Sequence, residues 1–195
     1  MVLFQENLKN AVVGIAGLGG LGSTVAAALA RTGIGRLIIA DFDNVDSSNL
    51  NRQQYFIDQI GKSKVDATMG NLRRINPFVQ VIGHCEKLTA ENVPAIFNEA
   101  DVIAECFDKA EEKQMLVETV LSRMSRPVIV SANGLAGYGD SNSIQTRRVS
   151  ARLIIVGDNK RGTDSESLLT AGRVWIAASH QANAIVEIIV DELVK

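Results

Sequence analysis

A glycine-rich stretch near the start of the chain constrains its fold more than any other feature of the sequence. Residues 17–22 read GLGGLG, which fits the pattern GxGxxG, and the apolar run AVVGIA stands directly before them at 11–16. Behind them, STVAAALA at 23–30 has the small side chains of a tightly packed helix. The order strand, tight turn and helix is therefore predicted. The first turn of such a helix presents unpaired backbone N–H groups and the positive end of its dipole to an anion.

An acidic residue on the next predicted strand adds to this pattern. The apolar residues LIIA at 37–40 are followed by Asp41, which lies 19 residues after Gly22. A carboxylate in that position can accept hydrogen bonds from ribose hydroxyls, and glycines let a phosphate approach the backbone without meeting a Cβ atom. The combination predicts a nucleotide site. Which nucleotide is left open, because a nicotinamide or flavin dinucleotide fold would present the same features.

The remainder of the chain alternates between short β-branched runs and helical patterns. This alternation predicts an α/β fold: a Rossmann-like, three-layer, doubly wound and mainly parallel sheet with antiparallel strands at one edge. Two runs at 143–149 and 152–156 are too close together for a helix between them, and they predict the antiparallel pair. Residues 157–172 are polar and aperiodic, which indicates a mobile loop. Strands are predicted at 11–16, 37–41, 79–84, 101–105 and 127–131, and helices at 21–32, 61–75, 89–99, 110–124 and 173–194.

Composition limits the classes of function. With 195 residues, of which 46% are hydrophobic, the chain is predicted to form one domain over 1–195. A net charge of −2 gives no basic footprint, so nucleic acid is not expected as the main partner. No signal peptide and no apolar run of about 18 residues is present, which predicts a cytoplasmic protein without a membrane partner.

The two cysteines, Cys85 and Cys106, form no CxxC pair. Neither a disulfide framework nor a four-cysteine zinc site can be built from them, so no zinc is expected. Free cysteine is among the most buried residue types, and a packing role is predicted for both thiols.

Three further polar clusters do not belong to the dinucleotide pattern. After Asp41 and Asp43 comes NLNRQQ at 49–54, and GKSK at 61–64 opens a predicted helix. Asp108 stands just past the fourth predicted strand, at the carboxyl end where ligands bind in such sheets. These clusters therefore lie where they can surround the same nucleotide site.

In these residues the chain resembles the adenylating domain of the ThiF and MoeB family, which the ubiquitin-activating enzymes share with the adenylyltransferases of sulfur-carrier proteins. That family carries a GxGGLG loop, a DxD after the second strand, an NxxRQ segment, a lysine at a helix start and an aspartate after a later strand. The resemblance covers nearly the whole chain. It is closest to the short, zinc-less, thiamine-type branch, ThiF family 2.

The resemblance implies an ATP site with Mg²⁺. Asp41 would bind the ribose, Arg52 and Lys64 would contact the phosphates, and Asp108 would hold Mg²⁺; the last three are the candidate catalytic residues. For Asp108 the alternative is a helix N-cap, with Glu111 completing a capping box. The residues that the resemblance assigns to the nucleotide are Gly17, Gly19, Gly20, Leu21, Gly22, Asp41, Asp43, Asn49, Arg52, Gln53 and Lys64.

The implied activity is ATP-dependent adenylation of the C-terminal glycine carboxylate of a small, ubiquitin-like sulfur carrier ending in Gly-Gly, in thiamine biosynthesis. A C-terminal carboxyl, with a pKa of about 3.3–3.7, is already ionised at neutral pH, so the reaction needs no general base. It needs cations that relieve anion repulsion and stabilise the leaving pyrophosphate. The family also implies a homodimer. Because no cysteine follows Cys106, we expect another protein to transfer the sulfur.

Two other functions stay open. An NAD-dependent oxidoreductase would explain the glycine loop and Asp41, but it would leave Arg52, Lys64 and Asp108 without a role. A non-catalytic module that binds a nucleotide and a ubiquitin-like protein is the other alternative. It is favoured by residues 1–10, which contain Lys9 and no arginine, whereas many relatives place there an arginine that reaches ATP.

Overall fold

In the computed structural model, which describes residues 2–160 and 168–192, seven strands form one sheet with helices on both faces. The elements in chain order are α1 (Val2–Asn10), β1 (Val12–Ala16), α2 (Gly20–Thr32), β2 (Arg36–Ala40), α3 (Lys64–Ile75), β3 (Gln80–His84), α4 (Val93–Ile96), β4 (Val102–Glu105), α5 (Ala110–Arg123), β5 (Val128–Asn133), β6 (Gln145–Ser150), β7 (Leu153–Gly157) and α6 (Ala171–Glu187). Short 3₁₀ helices occupy Ser47–Asn49, Ile57–Gln59 and Ser141–Ser143, and a π-helix at Ile188–Glu192 continues α6.

The strand order is β3-β2-β1-β4-β5-β7-β6, and every neighbouring pair is parallel except β6 and β7. The predicted doubly wound α/β sheet with an antiparallel edge is therefore confirmed. The strands run outward from β1 through β2 to β3 in one direction, and from β4 through β5 to β7 and the edge strand β6 in the other. In sheets of this kind the crevice at the carboxyl ends of the two strands where the order reverses is the place for a ligand.

The two faces of the sheet carry separate apolar clusters, which is why β1 and β4 are buried along their whole length. One cluster packs α2, α3 and α6 against the sheet around side chains such as Leu29 and Ile185. The other packs α4 and α5 on the opposite face around Phe97 and Leu116. Strands covered on both faces read as continuous apolar runs, as the sequence does at 11–16 and, between Asp101 and Glu105, at 102–104.

Three local predictions need correction. Residues 2–10 form α1, which was not predicted; Leu8 is buried and anchors it. The helix predicted at 89–99 is a single turn. Cys85 is exposed rather than packed, because it follows β3, an edge strand. Of the loop predicted at 157–172, residues 161–167 lie outside the described part of the chain.

Within the described residues, no helix combines the length and the apolar character that crossing a bilayer requires.

Candidate nucleotide-binding site

A cavity of about 390 Å³ opens at the carboxyl ends of the parallel strands. The glycine loop after β1, the end of β2 and the turns after β4 and β5 form much of its wall, and Arg52, Gln53 and Lys64 contribute to the rest. All the residues that the sequence analysis assigned to the site line this cavity, except Gly22 and Asn49. The structure therefore brings clusters from four separate parts of the chain together, as the parallel sheet predicts.

The glycine loop is shaped by close backbone packing. Gly17 has φ +89°, a conformation that favours glycine, and a Cβ atom added to Gly22 would lie 1.9 Å from the carbonyl oxygen of Gly17. Gly22 is thus needed for the helix to meet the turn, although it does not line the cavity. The N-cap of α2, Gly19, offers no side-chain hydrogen bond. The first N–H groups of α2 consequently keep their capacity to bind an anion.

Asp41 is buried and connects the end of β2 to the glycine loop. Its Oδ2 accepts a hydrogen bond from the backbone N–H of Leu18 at 2.6 Å, and its Oδ1 accepts one from the N–H of Asp43 at 2.8 Å. Burial raises the pKa of Asp41, and the nearby Lys64 ammonium offsets part of that rise. Each carboxylate oxygen has a further lone pair for a ribose hydroxyl.

Lys64 lies in the first turn of α3 and is almost completely buried. Its Nζ is 2.7 Å from Oδ2 of Asp43, and its backbone N–H donates to the carbonyl of Asp43 at 2.9 Å. A cation is unfavourable at a helix N-terminus unless an anion is near, and Asp43 supplies such an anion within the chain. The ammonium group has three donors, so it can hold Asp43 and still contact a phosphate.

Arg52 and Gln53 carry polar groups whose charge or hydrogen-bonding capacity is incompletely used. The Arg52 guanidinium donates to the carbonyl of Ser48 at 3.3 Å and to Oδ1 of Asn51 at 2.8 Å, and within the described residues it meets no carboxylate. Gln53 is buried, and its Oε1 has no hydrogen-bond partner. Asn49 stabilises this turn without lining the cavity, because its carbonyl accepts hydrogen bonds from the backbone N–H groups of Arg52 and Gln53. A buried acceptor without a partner is expected to meet a ligand or a water molecule.

Asp108 is exposed at the edge of the cavity, and its carboxylate makes no hydrogen bond or ion pair with the residues that the structure describes. The N-cap of α5 is Lys109, with no side-chain cap, so the capping-box alternative for Asp108 is wrong. No cluster of three or more His, Cys, Asp or Glu ligands occurs among residues 2–160 and 168–192. A single carboxylate fits Mg²⁺, which is commonly bound by one or two carboxylates together with substrate phosphates and water.

Sequence reasoning missed a buried ion pair beneath this turn. Glu105 is fully buried at the end of β4, and both its oxygens lie 3.1 Å from Nζ of Lys113. The same carboxylate accepts the Ser131 hydroxyl at 2.6 Å and the N–H of Phe107 at 2.7 Å. The network joins the ends of β4 and β5 and fixes the turn that carries Asp108. The sequence signal was a lone glutamate closing an apolar strand.

Two aromatic residues were also missed. The Tyr55 hydroxyl donates to the carbonyl of Leu18 in the glycine loop at 2.8 Å and lies 3.1 Å from Oγ1 of Thr68, and burial raises its pKa. Trp175, in the first turn of α6, donates its indole N–H to the carbonyl of Arg52 at 2.9 Å. Partly or fully buried tyrosine and tryptophan usually find such partners, but the sequence does not say which.

The end of the cavity beside the turn after β5 includes apolar side chains. It is lined by Leu135 and Leu169, and a backbone hydrogen bond of 2.6 Å from Gly137 to Leu168 joins the two segments that carry them. Oδ1 of Asn133, at the end of β5, is buried there without a partner. This end suits a group that brings its own hydrogen-bond donor.

The side chains around the cavity favour charge stabilisation over covalent catalysis. Within the described part of the chain, its walls contain no serine, threonine or histidine. Burial raises the pKa of the one thiol there, Cys106, so the predicted packing role fits it. Cations and helix-end N–H groups surround a space for an anion, and a substrate that brings its own nucleophile could react there.

Comparisons with known proteins agree with this geometry. A protein-family model described as ThiF family matches residues 2–191. The adenylyltransferase and sulfurtransferase uba4 of Aspergillus niger is 39% identical over 136 residues, which are 69% of this chain and 28% of that protein. The tRNA threonylcarbamoyladenosine dehydratase of Bacillus subtilis is 35% identical over 147 residues, covering 74% and 57%. The chain therefore spans under a third of the length of the uba4 protein.

A solved structure supports the fold as well. The crystal structure of E. coli tRNA N6-threonylcarbamoyladenosine dehydratase, TcdA, in complex with AMP superposes with a TM-score of 0.88 at 20% sequence identity. The match covers 98% of this chain and 91% of that one.

Proposed function

This chain belongs to the ThiF family, and from that premise we propose that it is an ATP-dependent adenylyltransferase acting on a carboxylate. One observation carries the proposal. Arg52 and Lys64 stand beside the glycine loop to which Asp41 is hydrogen-bonded, around a cavity whose described walls contain no serine, threonine or histidine and whose one thiol is buried. An oxidoreductase would leave both cations unexplained, whereas a triphosphate and an attacking carboxylate account for them.

The reaction follows from the charges. A carboxylate oxygen forms a bond to the α-phosphorus of ATP as the bond to the pyrophosphate oxygen breaks, and pyrophosphate leaves with that electron pair. Asp41 holds the ribose, and the start of α2 receives phosphate oxygens. Arg52 and Lys64 reduce the repulsion between the anions and stabilise the leaving group. Asp108 would hold Mg²⁺, which when bound neutralises phosphate charge.

The substrate that we propose is the C-terminal glycine carboxylate of a small, ubiquitin-like sulfur carrier, a ThiS-like protein of thiamine biosynthesis ending in Gly-Gly. In this proposal the glycine tail lies against the end of the cavity lined by Leu135 and Leu169, where the unpartnered Oδ1 of Asn133 can accept a peptide N–H group. The curated relative named as both adenylyltransferase and sulfurtransferase supports a sulfur-related partner. A cytoplasmic homodimer belongs to the same proposal.

A tRNA-directed activity is the second candidate, because the B. subtilis relative is named a tRNA threonylcarbamoyladenosine dehydratase. The charge of the chain favours the protein substrate. With a net charge of −2 it lacks the basic surface on which most affinity for nucleic acid depends.

Exchange of labelled pyrophosphate into ATP tests these alternatives in one assay. The reaction is run with a carrier ending in Gly-Gly, with the same carrier lacking its last two residues, and with tRNA. We expect exchange with the intact carrier alone. Exchange with tRNA alone would favour the second candidate, and ATP binding without exchange in any arm would indicate a binding module. Light scattering on the purified chain tests the homodimer.

A further inference from the structure

We propose that Trp175 is a positioning residue for Arg52: its indole N–H holds the main chain of Arg52 so that the guanidinium faces the phosphates of the nucleotide. This inference rests on the proposed function, since it assumes that Arg52 contacts a triphosphate. Trp175 itself is not expected to touch ATP, and it does not line the cavity.

The contact joins two distant parts of the chain. Nε1 of Trp175 lies 2.9 Å from the carbonyl oxygen of Arg52, 123 positions away in the sequence. Three segments meet here, because a Cβ atom added to Gly20 would lie 2.9 Å from Cγ1 of Val174 and 3.5 Å from Cγ of Arg52. Arg52 is thus enclosed between the start of α2 and the first turn of α6.

The other contacts of Arg52 cannot replace this one. Within the described residues its guanidinium donates to Ser48 and Asn51, which belong to the same loop and would move with it. Other elements hold the loop at Gln54, whose N–H donates to Oγ of Ser23 in α2 at 3.1 Å and whose carbonyl accepts a hydrogen bond from Nδ2 of Asn71 in α3 at 2.9 Å. Removing the indole N–H would leave these two contacts in place but would release the carbonyl of Arg52, two residues away, and would allow the Arg52 backbone to shift away from the phosphates.

The test compares ATP with adenosine, which lacks phosphates, in calorimetric titrations of Trp175→Phe. Phenylalanine keeps an aromatic ring at this half-exposed position and removes the donor together with the five-membered ring of the indole. We expect the Kd of ATP to rise about fivefold, as for one neutral hydrogen bond, while the Kd of adenosine is unchanged. In an Arg52→Gln background, Trp175→Phe should have no further effect on ATP, because both changes act through one guanidinium.

A purely structural role for Trp175 gives a different result. If the substitution loosened the whole site, it would raise the Kd of ATP and the Kd of adenosine by the same factor. The effects of Trp175→Phe and Arg52→Gln on the Kd of ATP would then multiply in the double variant. Either outcome overturns the proposal, as does an unchanged Kd for ATP in Trp175→Phe. Phe78→Ala, at an exposed aromatic residue before β3, serves as the control and should alter neither Kd. Wild-type protein that binds ATP without pyrophosphate exchange would contradict the proposed function and leave this inference testable.

Discussion

At the scale of single residues, the ammonium group of Lys64 has two roles in the proposed function. It forms an ion pair with Asp43 within the fold, and it contacts a phosphate of the nucleotide. Lys64→Met keeps the length of the side chain and removes its charge. We expect the Kd of ATP to rise at least about tenfold, because charge-assisted contacts to phosphate are lost, and that of adenosine to change little. Calorimetry measures both. Lys62→Met, at an exposed lysine two residues earlier, is the matched control, and an equal loss there would contradict the assignment.

The buried carboxyl of Asp41 predicts an unusual pH dependence. Burial raises the pKa of Asp41, so the protonated form, which has lost acceptor capacity for a ribose hydroxyl, becomes dominant at a higher pH than for an exposed carboxyl. Adenosine affinity should therefore begin to fall at a higher pH, as the solution is acidified from neutrality, than it would if Asp41 were an exposed carboxyl. Adenosine is the appropriate ligand because the phosphates of ATP titrate in the same range.

Asp41→Asn is the control for this pH effect. The variant should bind adenosine more weakly than the wild type at neutral pH, and its affinity should not fall further as the pH is lowered. If the affinity of the variant fell with pH as steeply as that of the wild type, the titrating group would be one other than Asp41.

How far single residues could be predicted depends on the distance to their partners. Lys64 and Asp108 were identified because each stands in a local pattern, a helix start or a strand end. Glu105, Tyr55 and Trp175 were not, because their partners are supplied by other elements through tertiary contacts. A local pattern indicates that a buried polar group needs a partner, but the fold decides which one it receives.

At the scale of elements, the junction between the glycine loop and α2 depends on Gly22. A Cβ atom there would lie 1.9 Å from a backbone oxygen that has little room to move, so Gly22→Ala should lower the free energy of unfolding by about 2 kcal/mol and weaken ATP binding. Gly70→Ala, within α3, is the matched control. Its added Cβ would meet nothing within 4 Å, and it should raise that free energy by about 0.5–1 kcal/mol.

Urea unfolding of the two variants measures both changes. Equal effects of the two substitutions would show that backbone propensity, and not the contact between Gly22 and Gly17, determines the result.

The strands were predicted to within a residue or two, because central strands buried on both faces give continuous apolar runs. Helices were less predictable. Pro94 and the turn around Asn92 leave α4 only one turn, and α3 begins at Lys64 because Ser63 caps it, with its Oγ accepting the N–H of Asp66 at 3.0 Å. In α1, the buried Leu8 anchors a helix that the polar residues around it did not predict. Element type followed from periodicity, and boundaries followed from caps.

At the scale of the whole molecule, the order of the strands explains why the glycine loop, Asp41 and Asp108 converge. They follow β1, β2 and β4, which are neighbours in the sheet. Because each follows a parallel strand, the sequence predicted that all three lie at the carboxyl ends of the strands. Lys9, by contrast, precedes β1 and lies at the opposite end of that strand, away from the cavity of its own chain. The identity of the carboxylate substrate could not be derived in this way, because it depends on surfaces that recognise a partner.

A second long-range pair, between Arg173 in α6 and Asp158 after β7, lies behind the cavity wall, because Asp158 packs against Gly134, which lines the cavity. Both side chains are almost fully buried, with the guanidinium 2.5 Å from the carboxylate, and Arg173 also donates to the carbonyls of Gly139 at 2.9 Å and Asp140 at 3.2 Å. Arg173→Met would leave a buried carboxylate without this cation. The free energy of unfolding should fall by about 3 kcal/mol.

Hydrogen exchange locates the consequence of Arg173→Met. Amides of residues 139–143 should lose protection to a greater extent than those of β1, because Arg173 connects this loop to α6 whereas β1 is held by its own sheet partners. Arg147→Met, at an exposed arginine on β6, is the control and should change neither quantity. Unfolding within about 0.5 kcal/mol of the wild type, with unchanged exchange in the loop, would mean that the wall is held by other contacts.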